Sequence, residues 1–325
     1  MRTSGGWIHG RRFSRAASTV SKRADEKGVV GERRWLWPSF ALPGVVWLIV
    51  LFVTPLYAIL AMAMGVSDPI FGDTLPVWNP LHWNPSTFVE VFGELFTGQL
   101  GVVFLRTLVY VVGATALSLL IGYPVAYYVA RHAGRYRVLL LILIIAPFWI
   151  NYLMRMLAWV NLLATDGYVN QILMFVGALD APREWLVGKP ETVVLGLVYG
   201  YVPFLILPLF AALDRIDQRV IEAARDLGAS PAQAFLRVTL PLSSQGILAG
   251  CVIIMLPMFG DYYTATLLSG SPRTNMIAKL IEQNINASAG GNTGAALTIV
   301  LMVFVGLLMT YYLYSVARAT REARS

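Results

Sequence analysis

The sequence holds very little from which to build a soluble catalytic centre. Its 325 residues include one cysteine, Cys251, inside an apolar run, which excludes a disulfide within the chain and any cluster of thiolate metal ligands. Histidine is almost as scarce. His9, His82 and His132 fall in three separate segments, and neither HExxH nor GxSxG occurs. A Walker A loop is missing as well: Gly188 and Lys189 are followed by Pro190, and Arg183 stands where the first glycine would be. Charge is the largest shortfall, with Asp, Glu, Lys and Arg at 13% against 57% hydrophobic residues and a mean hydropathy of +0.64. Soluble domains carry roughly 25% charged residues, so the chain belongs in a bilayer.

What is present is a series of apolar runs. Uncharged stretches cover 42–64, 107–130, 192–213, 238–260 and 292–317, each long enough for the ~20 residues a spanning helix needs. The stretch 138–165 is apolar apart from Arg155 and carries Pro147, so it reads as a sixth span with a break. The expected fold is all-α and integral to the membrane, with six transmembrane helices over residues 35–317. Before it, residues 1–34 form a basic arm with nine Lys or Arg against Asp25, Glu26 and Glu32, read as disordered. Its RRFSRAAST segment superficially resembles an organellar presequence, but the 23 apolar residues at 42–64 are too long for a signal-peptide core. Residues 318–325 form a tail. Setting both termini in the cytoplasm places 19 of the 25 Lys and Arg on that side, as the positive-inside rule requires. The net charge of +7 then needs no nucleic acid to explain it.

Between the first two runs lie Trp78-Asn79-Pro80 and Trp83-Asn84-Pro85, a doubled turn signal with aromatic anchors. Phe88, Val91, Phe92, Leu95 and Phe96 follow at helical spacing. They predict an amphipathic helix lying on the membrane, either against lipid or receiving an external protein.

The most polar stretch between spans is 217–242, DQRVIEAARDLGASPAQAFLRVTLPL. Ile216, Val220, Ala224 and Leu227 share one helical face, and Gly228 past the end predicts a left-handed stop. Ser230, Pro231 and Gln233 then form a capping box that restarts a helix at once, and Pro241 closes the unit. Taken alone, this pattern also suits an amphipathic element resting on headgroups.

Glu222, Ala223, Ala224, Gly228, Val238, Leu240 and Pro241 resemble, in type and spacing, the EAA loop of bacterial ABC importer permeases with the MetI-like fold. The resemblance implies a cytoplasmic coupling helix that docks on a separate ATPase, and it extends the candidate contact set to Asp226, Ser230 and Pro231. Further stretches, APFWINYLMRMLAW (146–159), GLVYGYVPFLILPLFAALDRID (196–217) and GDYYTATLLSG (260–270), look like those of the spermidine/putrescine permeases of the PotB type. Asp261 and Tyr262 stand where that branch is expected to have Glu and Phe, and TATLLSG replaces IPELLGG, so a permease of the same superfamily for another small solute stays open beside the polyamine reading. The resemblance implies a bacterial inner-membrane location, a second homologous permease, two ATPase subunits and an extracytoplasmic solute-binding protein. It implies no cofactor on this chain, ATP and Mg being used by the partner ATPase.

Two charges inside spans, Arg155 and Asp261, call for an account, since a charge near mid-bilayer costs ~2.5–3.5 kcal/mol on insertion scales. Arg155 either lines a solute path, paired with Asp261 or not, or snorkels to the outer headgroups. Asp261 is too short to snorkel far. A flexible polycation needs carboxylates and aromatic faces, and Trp149, Tyr152, Arg155, Trp159, Asp166, Asp261, Tyr262 and Tyr263 form the candidate path. The competing class is an ion-coupled secondary transporter gated by Arg155 and Asp261, which leaves the stretch around Glu222 without a role.

Overall fold

The computed structural model describes residues 40–68, 74–287 and 290–322, so the arm expected over 1–34 lies outside the described residues. The chain divides into two compact units, residues 1–58 and 59–325. The described part of the first is a single helix, α1 (Phe40–Ala63), whose last turn belongs to the second. From 40 to 55 this helix is exposed on every side. Apolar all round, it is a surface for lipid or protein and not for water.

The second unit runs α2 (Ser86–Thr97), α3 (Gln99–Arg131), α4 (Arg137–Ile145), α5 (Tyr152–Leu163), α6 (Tyr168–Phe175), α7 (Pro190–Asp214), α8 (Gln218–Asp226), α9 (Pro231–Ala234), α10 (Leu240–Leu242), α11 (Ser244–Phe259), α12 (Tyr263–Leu268), α13 (Ile277–Asn286) and α14 (Gly291–Glu322). Its strands among the described residues form a short antiparallel pair, β1 (Val66–Ser67) with β2 (Thr74–Leu75). α7 is central. It starts on Pro190, with Glu191 in its first turn, both favourable at a helix N-terminus. Its Val193, Leu197, Leu205, Leu209 and Leu213 pack between Tyr110, Val111 and Ala114 of α3 and Ile254 and Met258 of α11. Where lipid removes most of the hydrophobic drive between helices, close packing over small residues does the work. Gly250 of α11 meets Leu205 so tightly that a Cβ there would stand 2.6 Å from its Cδ1.

Four helices are long and apolar enough to cross a membrane alone: α1, α3, α7 and the first 26 residues of α14. Two more candidates are bent pairs, residues 134–149 with α5 at 87° and residues 231–242 with α11 at 60°. The break expected at Pro147 is thus a sharp corner. Pro147 sits in a 3₁₀ turn, Ala146–Trp149, and Asn151 begins α5 afresh by accepting the Leu153 N–H at 2.8 Å. α14 continues to Glu322, through most of the segment expected as a tail.

Both Trp-Asn-Pro triplets start helices: Asn79 accepts the Leu81 N–H at 3.1 Å and Asn84 accepts that of Ser86 at 3.0 Å. The amphipathic helix expected at 88–96 is α2. It turns Phe88 and Val91 onto a core of Leu100, Ile277 and Ala296, while Phe92 and Phe96 stack together on the outside.

Candidate functional site

Two assemblies hold the residues singled out by the sequence. The first is a knob formed by α8, a glycine turn and α9. Asp217 caps α8 by accepting the Arg219 N–H at 3.0 Å. Gly228 ends it at φ +88°, a conformation a side chain resists, with the Ala229 N–H returning to the Ala224 carbonyl at 3.1 Å. Ser230 and Gln233 then form the expected capping box. Glu222, Ala223, Asp226, Gly228, Ser230 and Pro231 are all exposed. Leu227 departs from its expected place on the apolar face: it is the C-cap of α8 and 90% exposed, so the knob presents an apolar tip among charges.

The knob is fastened to the end of α3. Arg131 donates to the Ile216 carbonyl at 2.9 Å and to Gln218 Oε1 at 3.3 Å. Tyr123 and Tyr127 pack edge-on against Phe235, with ring centroids 5.8 and 5.7 Å away, and the Tyr123 hydroxyl shares a 2.8 Å bond with Ser243 Oγ. Phe235 opens a five-residue π-helical segment, Phe235–Thr239, that leads into Leu240 and Pro241. Phe235→Ala removes both ring contacts. We expect it to cost about 2 kcal/mol, below the ~3–5 kcal/mol of a fully buried ring because Phe235 is half-buried, read as a lower melting temperature in detergent. An unchanged melting temperature would show that the ring is not a fastening.

The second assembly lies where the two bent helix pairs meet. Asp261 occupies the non-helical link between α11 and α12 and is 5% exposed. Its Oδ1 accepts the Thr264 N–H at 3.0 Å, and its Oδ2 accepts the hydroxyls of Tyr152 at 2.5 Å, Thr264 at 2.7 Å and Tyr201 at 3.4 Å. Gly200 of α7 makes room for Tyr152, since a Cβ there would lie 2.9 Å from the ring. One turn beyond Tyr152 on α5, Arg155 is 7% exposed. Its guanidinium lies against Phe148, Tyr152 and Tyr199, at 4.1, 5.3 and 5.9 Å from the ring centroids. No ion pair joins Arg155 to Asp261, because the Tyr152 phenol stands between them and its hydroxyl takes the carboxylate. Snorkelling is equally absent, since the guanidinium turns into the chain and not outward.

The remaining candidates divide. Tyr263 packs beside Tyr152 at 6.4 Å, and Trp159 braces Tyr199 edge-on at 5.3 Å. Trp149 is 88% exposed and Asp166 lies exposed in the turn between α5 and α6, so neither joins the cluster. Tyr262 lines a different cavity of about 450 Å³ with Ile281, Glu282, Ile285 and Thr298. There the Lys279 ammonium, 2.7 Å from Glu282, holds that carboxyl below the usual carboxylate range. Phe148, Tyr199, Tyr201 and Thr264 belong to the cluster and were not singled out by the sequence. Only Thr264 carried a local signal, three residues after an acid at the start of a helix.

Residues 118–321 match the family model described as the binding-protein-dependent transport system inner membrane component. The chain belongs to this family. The matched stretch contains both the knob and the Asp261 cluster. Among curated members of this permease family, the chain is 38% identical over 199 residues to the spermidine/putrescine transport system permease protein PotB of Escherichia coli, covering 61% of this chain and 72% of that protein. To PotB of Haemophilus influenzae it is 41% identical over 199 residues, covering 61% and 69%. The chain also superposes on a bacterial alginate ABC transporter solved in complex with an alginate pentasaccharide-bound periplasmic protein. That match has a TM-score of 0.66 and 22% identity, and it covers 89% of this chain and 96% of that one, a likeness of fold alone. The all-helical MetI-like permease fold and a multi-pass membrane protein follow. These relatives are transport permeases and not enzymes.

Proposed function

We propose that this permease couples to a separate ATPase through the α8–Gly228–α9 knob and carries a polyamine of the spermidine/putrescine class across the bacterial inner membrane. The observation that carries the coupling is the knob itself: an exposed, doubly capped turn with Leu227 at its tip, fastened by Arg131, Tyr123 and Tyr127 to a spanning helix. A rigid push on such a lever reaches the spans without dissipating in a flexible loop. Two ATPase subunits closing on ATP would move it, rotate α3, α7 and α11 and open the path to a loaded external binding protein, with a second homologous permease completing the pore. Glu222, Ala223, Ala224, Asp226, Gly228, Ser230, Pro231, Leu240 and Pro241 form the coupling surface in this reading.

The polyamine assignment is supported by the likeness to PotB proteins and by Asp261 among Tyr152, Tyr201 and Tyr263. It is tested by binding of labelled spermidine and putrescine to the cognate external protein, and by their competition for uptake. Competition at low concentration is expected; uptake indifferent to an excess of both would overturn it.

Six spans with both termini cytoplasmic complete the proposal, on the strength of the Lys and Arg count. In a Cys251→Ser background, a cysteine replacing exposed Ser230 is expected to react with a membrane-impermeant thiol reagent only from the cytoplasmic side, and one replacing exposed Ser86 only from outside. The opposite labelling would invert the topology.

A further inference from the structure

We infer that Glu282, with Tyr262 and Asn286, forms a second amine subsite in the cavity beside α13, joined to Asp261 by a run of tyrosine rings. The inference rests on the polyamine reading and adds a further station for the same solute.

The cavity has the composition an aliphatic amine requires. It holds about 450 Å³, within the range of small-molecule sites, and Ile281, Ile285 and Leu301 give it apolar walls suited to methylene groups. Glu282 is the one carboxylate in its lining, and Tyr262 adds an aromatic face. A carboxylate offers about four acceptor positions, and two are in use: Oε2 accepts from Lys279 Nζ at 2.7 Å and Oε1 from Asn286 Nδ2 at 2.9 Å. The Glu282 side chain is 31% exposed, so the other positions stay open to an ammonium. Held from two sides, the carboxylate is oriented before a solute arrives, which lowers the entropy cost of binding. Lys279 sets the strength. As a like charge beside the incoming ammonium it weakens the contact without closing it, and a station on a transport path must release its solute as well as take it.

The connection to Asp261 is aromatic. Tyr262 lines the cavity and stacks on Tyr263 with ring centroids 4.1 Å apart. Tyr263 in turn lies 6.4 Å from Tyr152, whose hydroxyl binds the Asp261 carboxylate. Ring faces attract ammonium groups, so two carboxylates joined by three tyrosines suit a flexible chain with a charge at each end.

The test reads binding at the cavity and not transport. In a Cys251→Ser background, Ile285→Cys, at a cavity-wall position 47% exposed, is labelled with a maleimide in the purified complete transporter, with and without spermidine at constant ionic strength. Spermidine is expected to slow the labelling. Adding Glu282→Gln, which keeps the side-chain length and the Asn286 contact, should raise the spermidine concentration needed for protection about tenfold, the scale of one charge-assisted contact. Adding Lys279→Gln should lower it. The opposite signs decide the matter, because both changes break the same ion pair: shifts in one direction would mark the pair as structural and overturn the inference. Labelling that spermidine leaves unchanged, or protection that survives Glu282→Gln unaltered, would overturn it too. Should Ile285→Cys fail to accumulate or to react, Thr298→Cys on the α14 wall of the same cavity carries the test with the same outcomes. The two levels fail differently. Uptake indifferent to an excess of spermidine removes the polyamine reading and the subsite with it, whereas uptake that spermidine competes for, beside unprotected cavity cysteines, removes the subsite alone.

Discussion

Gly228→Asp is expected to abolish ATP-driven uptake while leaving the protein in the membrane at close to its normal amount. The backbone at Gly228 has φ +88°, and a Cβ there meets nothing within 4 Å, so the substitution brings strain but no clash. That strain is about 1–2 kcal/mol, too little to unfold a bundle of long apolar helices. Its effect is local. The turn is held by the Gly228 N–H on the Arg225 carbonyl at 2.9 Å and the Ala229 N–H on Ala224 at 3.1 Å, and loosening it moves α9 relative to α8. The new carboxylate also stands at the tip of the surface proposed to meet the ATPase. Gly228→Ala carries the strain without the charge, so an intermediate loss is expected there. Membrane abundance and uptake measured side by side separate folding from coupling, and wild-type uptake in Gly228→Asp would refute the coupling role.

Asp261→Ala is expected to be the most damaging single change in its cluster, and Asp261→Asn to be tolerated structurally. Removing the carboxylate leaves the Thr264 N–H and the hydroxyls of Tyr152, Thr264 and Tyr201 without their acceptor. Each stranded donor costs about 1–3 kcal/mol. The Tyr152 and Thr264 hydroxyls lie 2.7 Å apart and partly satisfy each other, which brings the expected loss to about 2–4 kcal/mol. Asparagine keeps an oxygen for the Thr264 N–H, and both hydroxyls can turn to accept from its amide. It therefore removes charge with little loss of structure, about 1 kcal/mol or less. On the proposed amine contact, uptake should still fall roughly tenfold to a hundredfold, the usual scale for a charge-assisted contact. Melting temperatures in detergent and uptake rates together test both halves. Equal destabilisation by Ala and Asn would mean that the four hydrogen bonds do not hold the link between α11 and α12.

What the sequence made visible, and what it hid, follows from how far apart the partners are. The four helices long and apolar enough to span were legible as uncharged runs, and the knob was legible because capping is local: Asp217, Gly228, Ser230 and Gln233 each act within three or four residues. Pro147 marked a break but not its 87° angle, which depends on Asn151 restarting the helix in a new direction. Leu227 was placed on the apolar face by its spacing, yet at the C-cap the chain has left the helix and the face no longer exists. The Asp261 cluster was the least legible. Tyr152 and Tyr201 lie 109 and 60 residues from it in sequence, so nothing local distinguishes a carboxylate bound by phenols from one paired with Arg155. Arg155 stood out in the sequence as a charge in an apolar run, but its aromatic surroundings come from the turn before α5 and from α7. The two-residue strands at Val66 and Thr74 are too short to leave a periodic signal.

Uptake into proteoliposomes containing the whole assembly, with ATP enclosed and ion gradients collapsed by ionophores, separates ATP-driven import from ion-coupled transport. Labelled spermidine delivered by the external binding protein is expected to accumulate only when ATP and the ATPase partners are present, and to do so whether or not ionophores are added. Uptake that continues without the ATPase partners and stops when the ion gradient collapses would contradict it.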